Sequence, residues 1–395
     1  MNFSLWIQGL LHCNIWQMLM ITLVMTHITS LSMTIYLHRY SAHRSVDLHP
    51  LLRHFFRFWL WFTSATNTKE WTAIHRKHHA KCETVDDPHS PVHYGLNRVL
   101  WGGAFLYRKE AKNQQTLERY GKGCPDDWIE RKLYTPQQSL GIFILLAAYL
   151  LMFGVWGVLA WGIQMVWVPF WAAGVVNGVG HIFGYRNFEC SDNARNIFPV
   201  GIIMGGEELH NNHHAYPNSA RLSSKWWEFD CGWMWIRIFC MLRLAKVLFS
   251  TPLIQKNKHK AEINTNTIMA IVNHRFHVMA HYTKDVIRPL INSEKGKFAS
   301  KQERMRLHKA GKLLSRHHAI LKPVHQAHLK NIISEFNRLK IIYEKRIALQ
   351  EIWQKIKENK QRVNALQKWC LEAEQSGIQV LRDFSKKLRC YDLPT

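Results

Sequence analysis

Two long stretches of this chain contain no Asp, Glu, Lys or Arg: residues 1–37 and residues 140–185. Charged residues make up 20% of the whole chain, so this absence is local. About 20 consecutive apolar residues are enough to cross the hydrocarbon core of a bilayer as one helix. The chain is therefore expected to be an integral membrane protein, and its fold class is predicted to be all-α.

The two charge-free stretches predict three membrane spans. The first has room for one span, at about residues 16–37, because two spans and a turn need more than about 40 residues. The second is long enough for a helical hairpin, with spans at about residues 140–161 and 165–185 and a turn near Gly162 and Gln164.

Basic residues flank the second stretch, with Arg131 and Lys132 before it and Arg186 after it. The positive-inside bias then places both ends of the hairpin on the cytoplasmic side. Residues 50–65 and 226–244 are rich in aromatic residues but also carry Arg. This combination is typical of helices that lie in the membrane interface.

The net charge of +24 is carried by the segments that flank the charge-free stretches and by the C-terminal part of the chain. A cytoplasmic membrane face explains this distribution better than nucleic acid does, so no nucleic-acid partner is expected. The eight cysteines are scattered without C-x-x-C spacing, as expected of reduced thiols in a cytosolic setting.

Composition divides the chain into two predicted domains. Residues 1–250 are expected to form a membrane domain, in which residues 38–138 and 186–250 make a helical cytosolic cap. Residues 251–395 are expected to form a basic, helical cytosolic tail. Apolar residues near the end of this tail recur at heptad-like spacing, which favours a helical hairpin or a short coiled coil.

Histidines form three clusters along the membrane domain. The clusters are His38 and His43 in HRYSAH, His75, His78 and His79 in HRKHH, and His210, His213 and His214 in HNNHH. In the last two, positions i, i+3 and i+4 share one helix face, so the imidazoles can converge on a metal ion. Asn177 and His181, spaced i, i+4 in the last predicted span, add a fourth element, because polar groups in membrane segments are costly and usually functional.

All four elements lie just cytoplasmic of a predicted span, so they can form one site. Nine imidazoles exceed what one ion needs, and two ions are implied. Imidazole suits iron, zinc and copper alike, and zinc would bring no redox chemistry. Nearby acidic residues are expected to orient the second ring nitrogens. These residues are Glu83, Asp86, Asp87, Glu207 and Glu208.

The histidines of the tail receive a different interpretation. His274, His277 and His281 share a helix face, and four more histidines follow between residues 317 and 328. They lie among Lys and Arg residues, so a solvated basic face is favoured over a metal site.

The segments HRYSAH, HRKHHA, DPH, NGVGH and GGEELHNNHH, in this order, resemble the histidine boxes of the membrane fatty acid desaturases, and they are most similar to those of bacterial acyl-CoA desaturases of the stearoyl-CoA, delta-9 type. The resemblance implies two iron ions, with Asn177 reaching one of them through a water. The implied histidine ligands are His38, His43, His75, His78, His79, His181, His210, His213 and His214. Trp71 falls where the family places an aromatic side chain of the acyl channel, and His89 of DPH joins the residues expected behind the ligands.

The resemblance also implies the activity: dioxygen-dependent introduction of a cis double bond, at delta-9, into a long saturated chain carried as acyl-CoA. Electrons would come from NAD(P)H through a separate ferredoxin- or flavin-type reductase. The expected location is a bacterial inner membrane, with the active site on the cytoplasmic side. Ala73 and Ile74 replace a basic and an acidic residue that help to hold the CoA nucleotide in animal relatives, so a phospholipid-bound acyl chain is the alternative substrate.

Two other functions stay open from the residues alone. An unactivated methylene has no acidic proton and no leaving group, so its oxidation requires the chemistry of a cofactor. A related histidine-box hydroxylase would leave oxygen in the product. A membrane metal-binding protein would hold zinc without turnover.

Overall fold

The computed structural model describes residues 8–251, 255–257 and 262–393. The chain divides into two compact units, the first made of Met1–Asn187 and Asp192–Thr251, the second of Phe188–Ser191 and Pro252–Thr395. Both units are built almost entirely from helices, in agreement with the predicted all-α fold class.

The first unit consists of helices joined by loops and two small pairs of strands. Its helices are α1 (Ile15–Ser32), α2 (Pro50–Ser64), α3 (Thr68–Lys81), α4 (Pro91–Tyr94), α5 (Leu96–Ala111), α6 (Gln114–Tyr120), α7 (Leu140–Phe153), α8 (Trp156–Val168), α9 (His210–Ala215) and α10 (Cys231–Met241). Strand β1 (Val46–Leu48) runs antiparallel to β4 (Ala245–Val247), and β2 (Val200–Gly201) runs parallel to β3 (Phe229–Asp230).

Helix α1 forms from the first charge-free stretch. Asn14 caps it, because the side chain of Asn14 accepts a hydrogen bond from the backbone amide of Gln17. The helix then continues without a break as a π-helix, Met33–Ala42. The combined apolar helix, Ile15–Ala42, has 28 residues and is long enough to cross a bilayer. His38 therefore lies inside this helix, and not beyond its end as the predicted span at residues 16–37 implied.

The second charge-free stretch folds into a helical hairpin whose turn lies earlier than predicted. Gly154 forms the turn with a φ of +63°, a backbone conformation that favours glycine, whereas Gly162 lies inside α8. The two helices approach closely, since a Cβ on Gly157 would lie 2.2 Å from the carbonyl oxygen of Tyr149. Helix α7 has only 14 residues, whereas Trp156–His181 has 26 and is apolar enough to cross a bilayer. In the described residues, two helices and not three meet the length of a span.

The two aromatic, Arg-containing segments differ in how well the sequence predicts them. Helix α2 closely matches the helix expected at residues 50–65. The second helix is shorter than the expected 226–244, because Asp230 caps α10 by accepting a hydrogen bond from the amide of Trp233, and the chain enters β4 soon after Met241.

The second unit is a bundle of helices around its own apolar core. Its helices are α11 (Thr265–Asn273), α12 (Arg275–Tyr282), α13 (Arg288–Gly296), α14 (Lys301–Ser315), α15 (Pro323–Glu335), α16 (Asn337–Gln354), α17 (Asn359–Gln375) and α18 (Gln379–Arg389). Strands β5 (Gln255–Lys256) and β6 (Tyr391–Asp392) pair antiparallel. The heptad-spaced residues Leu349, Ile352, Leu366 and Cys370 are buried where α16 packs on α17.

Candidate metal centre

Five histidines of the first unit converge as one group, called cluster 1. Its members are His38, His43, His75, His79 and His213. The Nε2 atoms of His38 and His213 are 3.0 Å apart, those of His43 and His75 are 2.8 Å apart, and those of His79 and His213 are 2.7 Å apart. Histidines that are distant from one another in the sequence thus bring their ring nitrogens close together in space.

Four more histidines form cluster 2: His78, His181, His210 and His214. The Nε2 atoms of His181 and His210 are 3.1 Å apart, and the ring centroids of His210 and His214 are 4.4 Å apart. The two clusters adjoin, because the rings of His79 and His214 have their centroids 4.6 Å apart. All nine predicted histidine ligands therefore lie in two neighbouring groups.

Helix α3 supplies both clusters. Asn67 caps the helix by accepting hydrogen bonds from the amides of Lys69 and Glu70. His75 and His79 are four residues apart on one face and belong to cluster 1, whereas His78 belongs to cluster 2. One rigid helix therefore fixes the separation of the two groups.

The π-helix explains how His38 and His43 share a cluster. Residues five positions apart in an α-helix lie about 140° apart around its axis, so their side chains diverge. In a π-helix, residue i+5 bonds to residue i, and the amide of His43 donates to the carbonyl oxygen of His38 at 3.0 Å. The two ring centroids are consequently only 4.8 Å apart.

Carboxylates lie behind four of the histidines, on the Nδ1 side of each ring. The Nδ1 atoms of His38, His78, His181 and His214 are within 2.7, 3.0, 3.1 and 3.2 Å of Glu207, Asp87, Glu83 and Asp192, respectively. A carboxylate at Nδ1 favours the tautomer that carries its proton there, which leaves Nε2 with a free lone pair. This is the arrangement that orients imidazole ligands at metal ions in proteins.

Burial holds most of these rings neutral. It lowers the pKa of five histidines well below the ordinary value, and neighbouring histidines lower it further. The five are His43, His75, His79, His210 and His213. Burial also lowers the pKa of His214 to about 4, although Asp192 opposes this. A neutral imidazole is the form that binds a metal ion.

The carboxylates behind the rings are held ionised. Burial alone would raise the pKa of Asp87 and Asp192, but the adjacent His78 and His214 lower it. The site therefore combines mostly neutral nitrogen donors in its centre with negative charge behind them. His78 is the exception, because burial lowers its pKa but Asp87 raises it above the ordinary value. That combination attracts a cation and repels an anion.

The donor set fits metal ions. Two nitrogens bound to one ion at about 2.1 Å and at right angles would be about 3 Å apart, and the four Nε2 pairs described above are 2.7 to 3.1 Å apart. Two bare lone pairs at this distance repel each other unless a positive charge lies between them. Seven of the nine histidines take part in these pairs, and the clusters are groups of donors that can hold a metal ion.

Asp192 contacts His214 of cluster 2 but is not among the residues predicted from the sequence. It follows the second charge-free stretch in the segment SDNAR, well before the HNNHH segment that contains His214. The next residue contributes too, since the Asn193 amide and side chain donate to the two carboxylate oxygens of Glu83 at 2.7 Å. The polar residues that follow the apolar helix Trp156–His181 were the feature of the sequence that could have indicated these two residues.

Two predicted acidic residues lie elsewhere. Glu208 accepts hydrogen bonds from the amides of Met204 and Gly206 and forms no ion pair with a histidine among the described residues, and burial raises its pKa to about 6. Asp86 is exposed and pairs with Lys81 at 3.4 Å. The structure thus places Glu208 and Asp86 away from the histidine rings.

Three other predicted residues differ in their contacts. The ring of Trp71 stacks on His75 with centroids 4.7 Å apart, and the ring of His89 stacks on His78 at 4.5 Å. Asn177 is half-buried and makes no side-chain hydrogen bond within the described part of the chain. The helix Trp156–His181 tightens into a 3₁₀ turn at Val179–His181, so the interval from Asn177 to His181 is not α-helical throughout.

A helical protein whose buried histidines adjoin in two groups falls in the class that can hold a pair of metal ions. The sequence model of the fatty acid desaturase family matches residues 14–260, more than half of the chain, and the chain belongs to this family. It is accordingly an oxidoreductase of the desaturase type.

Named relatives agree with this family. The chain is 34% identical over 229 residues to the sn-1 stearoyl-lipid 9-desaturase of Synechocystis sp., covering 56% of this chain and 68% of the relative. It is 32% identical over 238 residues to the sn-1 stearoyl-lipid 9-desaturase of Anabaena variabilis, covering 58% and 83%. It is 29% identical over 234 residues to the Delta-9 acyl-lipid desaturase 1 of Arabidopsis thaliana, covering 58% and 74%.

A second sequence model, described as that of a transposase family, matches residues 261–392. The two matches meet without overlap. The C-terminal part of the chain is thus similar to a different group of proteins, which the sequence analysis did not recognise.

Proposed function

We propose that this protein is a dioxygen-dependent fatty acyl desaturase that introduces a cis double bond at delta-9 through a histidine-ligated di-iron centre. The observation that carries the proposal is the pair of adjoining histidine clusters, with one carboxylate at an Nδ1 atom of cluster 1 and three at Nδ1 atoms of cluster 2. Oxidation of an unactivated methylene requires a redox cofactor, and this site offers the donors for one.

Iron would be held by His38, His43, His75, His79 and His213 in cluster 1 and by His78, His181, His210 and His214 in cluster 2. Bound iron supplies the redox chemistry with dioxygen that no side chain can supply. Asn177, as the tenth expected ligand, remains a proposal.

The chain's own residues position and insulate the reaction. Helix α3 sets the spacing of the two groups, and the carboxylates fix the ring orientations. The Trp71 ring on His75 supplies an apolar wall beside cluster 1. A misplacement of about 1 Å can lower the rate on the order of a hundredfold, so this packing affects the rate of the reaction.

For the acyl carrier we propose a membrane lipid in place of the CoA expected from the sequence. The named relatives are described as lipid desaturases. Ala73 and Ile74, at the positions discussed for CoA binding, are 0% and 2% exposed. These two buried apolar residues offer no charge to a nucleotide.

The remaining assignments follow the same proposal. The site would face the cytoplasm of a bacterial inner membrane, and electrons would reach it from NAD(P)H through a separate ferredoxin- or flavin-type reductase. The second unit would take no part in desaturation, because the desaturase match ends at residue 260 and the transposase match begins at 261. Its similarity to transposases favours a role that involves DNA.

The test is expression in a desaturase-deficient bacterium supplied with deuterated stearate, followed by mass spectrometry of intact lipids. We expect a delta-9 double bond in lipid-bound chains and none with the His78→Ala variant. Purified protein with a surrogate reductase is then given stearoyl-CoA or stearoyl phosphatidylglycerol. Turnover of stearoyl-CoA alone would reject the lipid substrate, a hydroxylated product would indicate a hydroxylase, and bound zinc without turnover would indicate a metal-binding protein.

A further inference from the structure

The second unit carries more than half of the excess positive charge of the chain. Residues 261–395 contain 26 Lys and Arg but 12 Asp and Glu. Many of the acidic residues are already paired: Glu294 with Lys297 and Arg338, Glu335 with Arg306, and Glu374 with Arg389. A surplus of cations without acidic partners must therefore lie on this unit's surface.

Part of this surplus lines one face of α14, here called the cationic stripe. The stripe consists of Lys301, Arg304, His308, Lys309 and Lys312, all exposed. At 100° per residue these positions fall on one side of the helix. Since an α-helix rises 1.5 Å per residue, Lys301 and Lys312 are about 16 Å apart along the axis.

No carboxylate interrupts the stripe within the described part of the chain. The acidic residue of α14, Glu303, lies on another side of the helix and pairs with Arg306 at 3.7 Å. Lys295 of α13 extends the stripe, with its Nζ 3.2 Å from Nδ1 of His308. Lys295, and more weakly Lys312, lowers the pKa of His308 through charge repulsion, which marks a locally positive potential.

We infer that the cationic stripe binds the phosphodiester backbone of nucleic acid without base selectivity. Four cations along one side of a helix, Lys301, Arg304, Lys309 and Lys312, suit a linear polyanion, whose phosphates supply most of the affinity. An anionic membrane is the less favoured partner. A helix that binds a membrane surface inserts an apolar face, whereas the apolar face of α14, with Leu307, Ala310, Leu313 and Leu314, is buried in the core of the unit.

The inference departs from the expectation of no nucleic-acid partner, which weighed the charge of the whole chain. It rests on the proposed DNA-related role of the second unit and is independent of the desaturase proposal. The experiment uses the full-length protein in phosphatidylcholine nanodiscs and a fluorescein-labelled 20-base-pair DNA duplex, with anisotropy measured between 50 and 200 mM KCl. The stripe variant combines Lys301→Gln, Arg304→Gln, Lys309→Gln and Lys312→Gln.

The control variant combines Lys355→Gln, Lys357→Gln, Lys360→Gln and Lys368→Gln, which removes the same net charge from exposed positions outside α14. We expect the control to bind DNA like the parent. In the stripe variant, the slope of log affinity against log salt should fall by about 0.9 for each lost phosphate contact. Desaturation should be unchanged in both variants. A failure of the DNA-binding inference can therefore be distinguished from a failure of the proposed enzyme activity.

Three outcomes would overturn the inference. One is the absence of DNA binding by the parent protein. Another is an equal loss in both variants, which would mean that only net charge matters. The third is DNA binding that disappears when the nanodiscs contain phosphatidylglycerol, which would assign the stripe to the membrane surface.

Discussion

Both units of this protein carry histidines at the i, i+3 and i+4 spacing of a helix. Among the described residues, the histidines that come together in space as a group belong to the first unit. In the first unit, nine rings from separate segments face one another. In the second, His281 contacts the hydroxyl of Tyr391 at 3.0 Å, and His317 accepts a hydrogen bond from the amide of Ala319. Of the described residues, no three ligand atoms of the second unit come within 4.8 Å of one another. Helical spacing brings rings to one face, but a metal centre needs several such faces to meet.

The comparison also corrects one expectation. The tail histidines were predicted to lie on a solvated basic face, but His274 and His317 are 2% and 8% exposed. Packing of the second unit buries these two rings individually, because the core of a helical bundle accepts an occasional imidazole. Burial alone therefore does not distinguish a ligand from a structural histidine.

The largest effect is expected when one histidine ligand is removed from either cluster of the first unit. His75→Ala or His213→Ala in cluster 1, and His78→Ala or His214→Ala in cluster 2, should each lower product by at least about a hundredfold, since losing a ligand costs more than losing the group behind it. Lipid analysis measures product, and mass spectrometry measures iron per protein. The control is His277→Ala in the second unit. Near-normal product in several of the four variants would show that the clusters are not one metal site.

The next effect concerns the carboxylates behind the rings. Asp192→Asn and Glu83→Gln should each lower iron affinity or activity by about 10- to 100-fold, because His214 and His181 lose the group that fixes their tautomer. Competition with a chelator measures the iron affinity. The matched control is Asp86→Asn, which alters an exposed carboxylate of the same segment. Equal behaviour of Asp86→Asn and Asp192→Asn would contradict the assigned role.

A smaller effect is expected for the wall beside cluster 1. Trp71→Leu leaves every ligand in place but removes the ring stacked on His75, so product should fall by about tenfold while iron content is kept. Gas chromatography would also show whether the double bond moves along the chain. Trp128→Leu, at a side chain that is 69% exposed, is the control. Loss of iron in Trp71→Leu would assign Trp71 to metal retention.

The smallest effect is expected for the histidines of the second unit. The triple variant His274→Gln, His277→Gln and His281→Gln should change product and iron per folded protein by less than about twofold, because these rings do not converge. The variant is compared with the parent after size-exclusion chromatography, so that any unfolded fraction is removed. A parallel loss of iron and product would place these histidines in the site.

The sequence predicts the histidines of α3 and α9 well, because i, i+3, i+4 spacing reports one helix face directly. It predicts Glu83, Asp87 and Glu207 because each lies near a histidine segment. It does not separate Glu207 from Glu208: in an irregular turn only one of two adjacent side chains faces the ring, and no periodicity decides which. Asp192 reaches His214 through tertiary structure alone.

The fold, like the site, could be predicted only in part from the sequence. Long apolar stretches predict helices reliably, but the turn of the hairpin does not follow from hydropathy. Gly154, Gly157 and Gly162 look equivalent in an apolar sequence, and only packing shows that one of them turns the chain while another permits close contact with Tyr149. The extent of α10 is likewise set by the Asp230 cap and the pairing of β4 with β1.

The π-helix Met33–Ala42 constrains the evolution of this chain through length more than through composition. Inserting one residue between His38 and His43 would place the two histidines six positions apart, which is about 120° apart around the axis of an α-helix. Both histidines and the apolar character would survive, but the two rings would point in different directions. Substitutions can accumulate within this segment, whereas a single-codon insertion there separates the two ligands as effectively as replacing one of them.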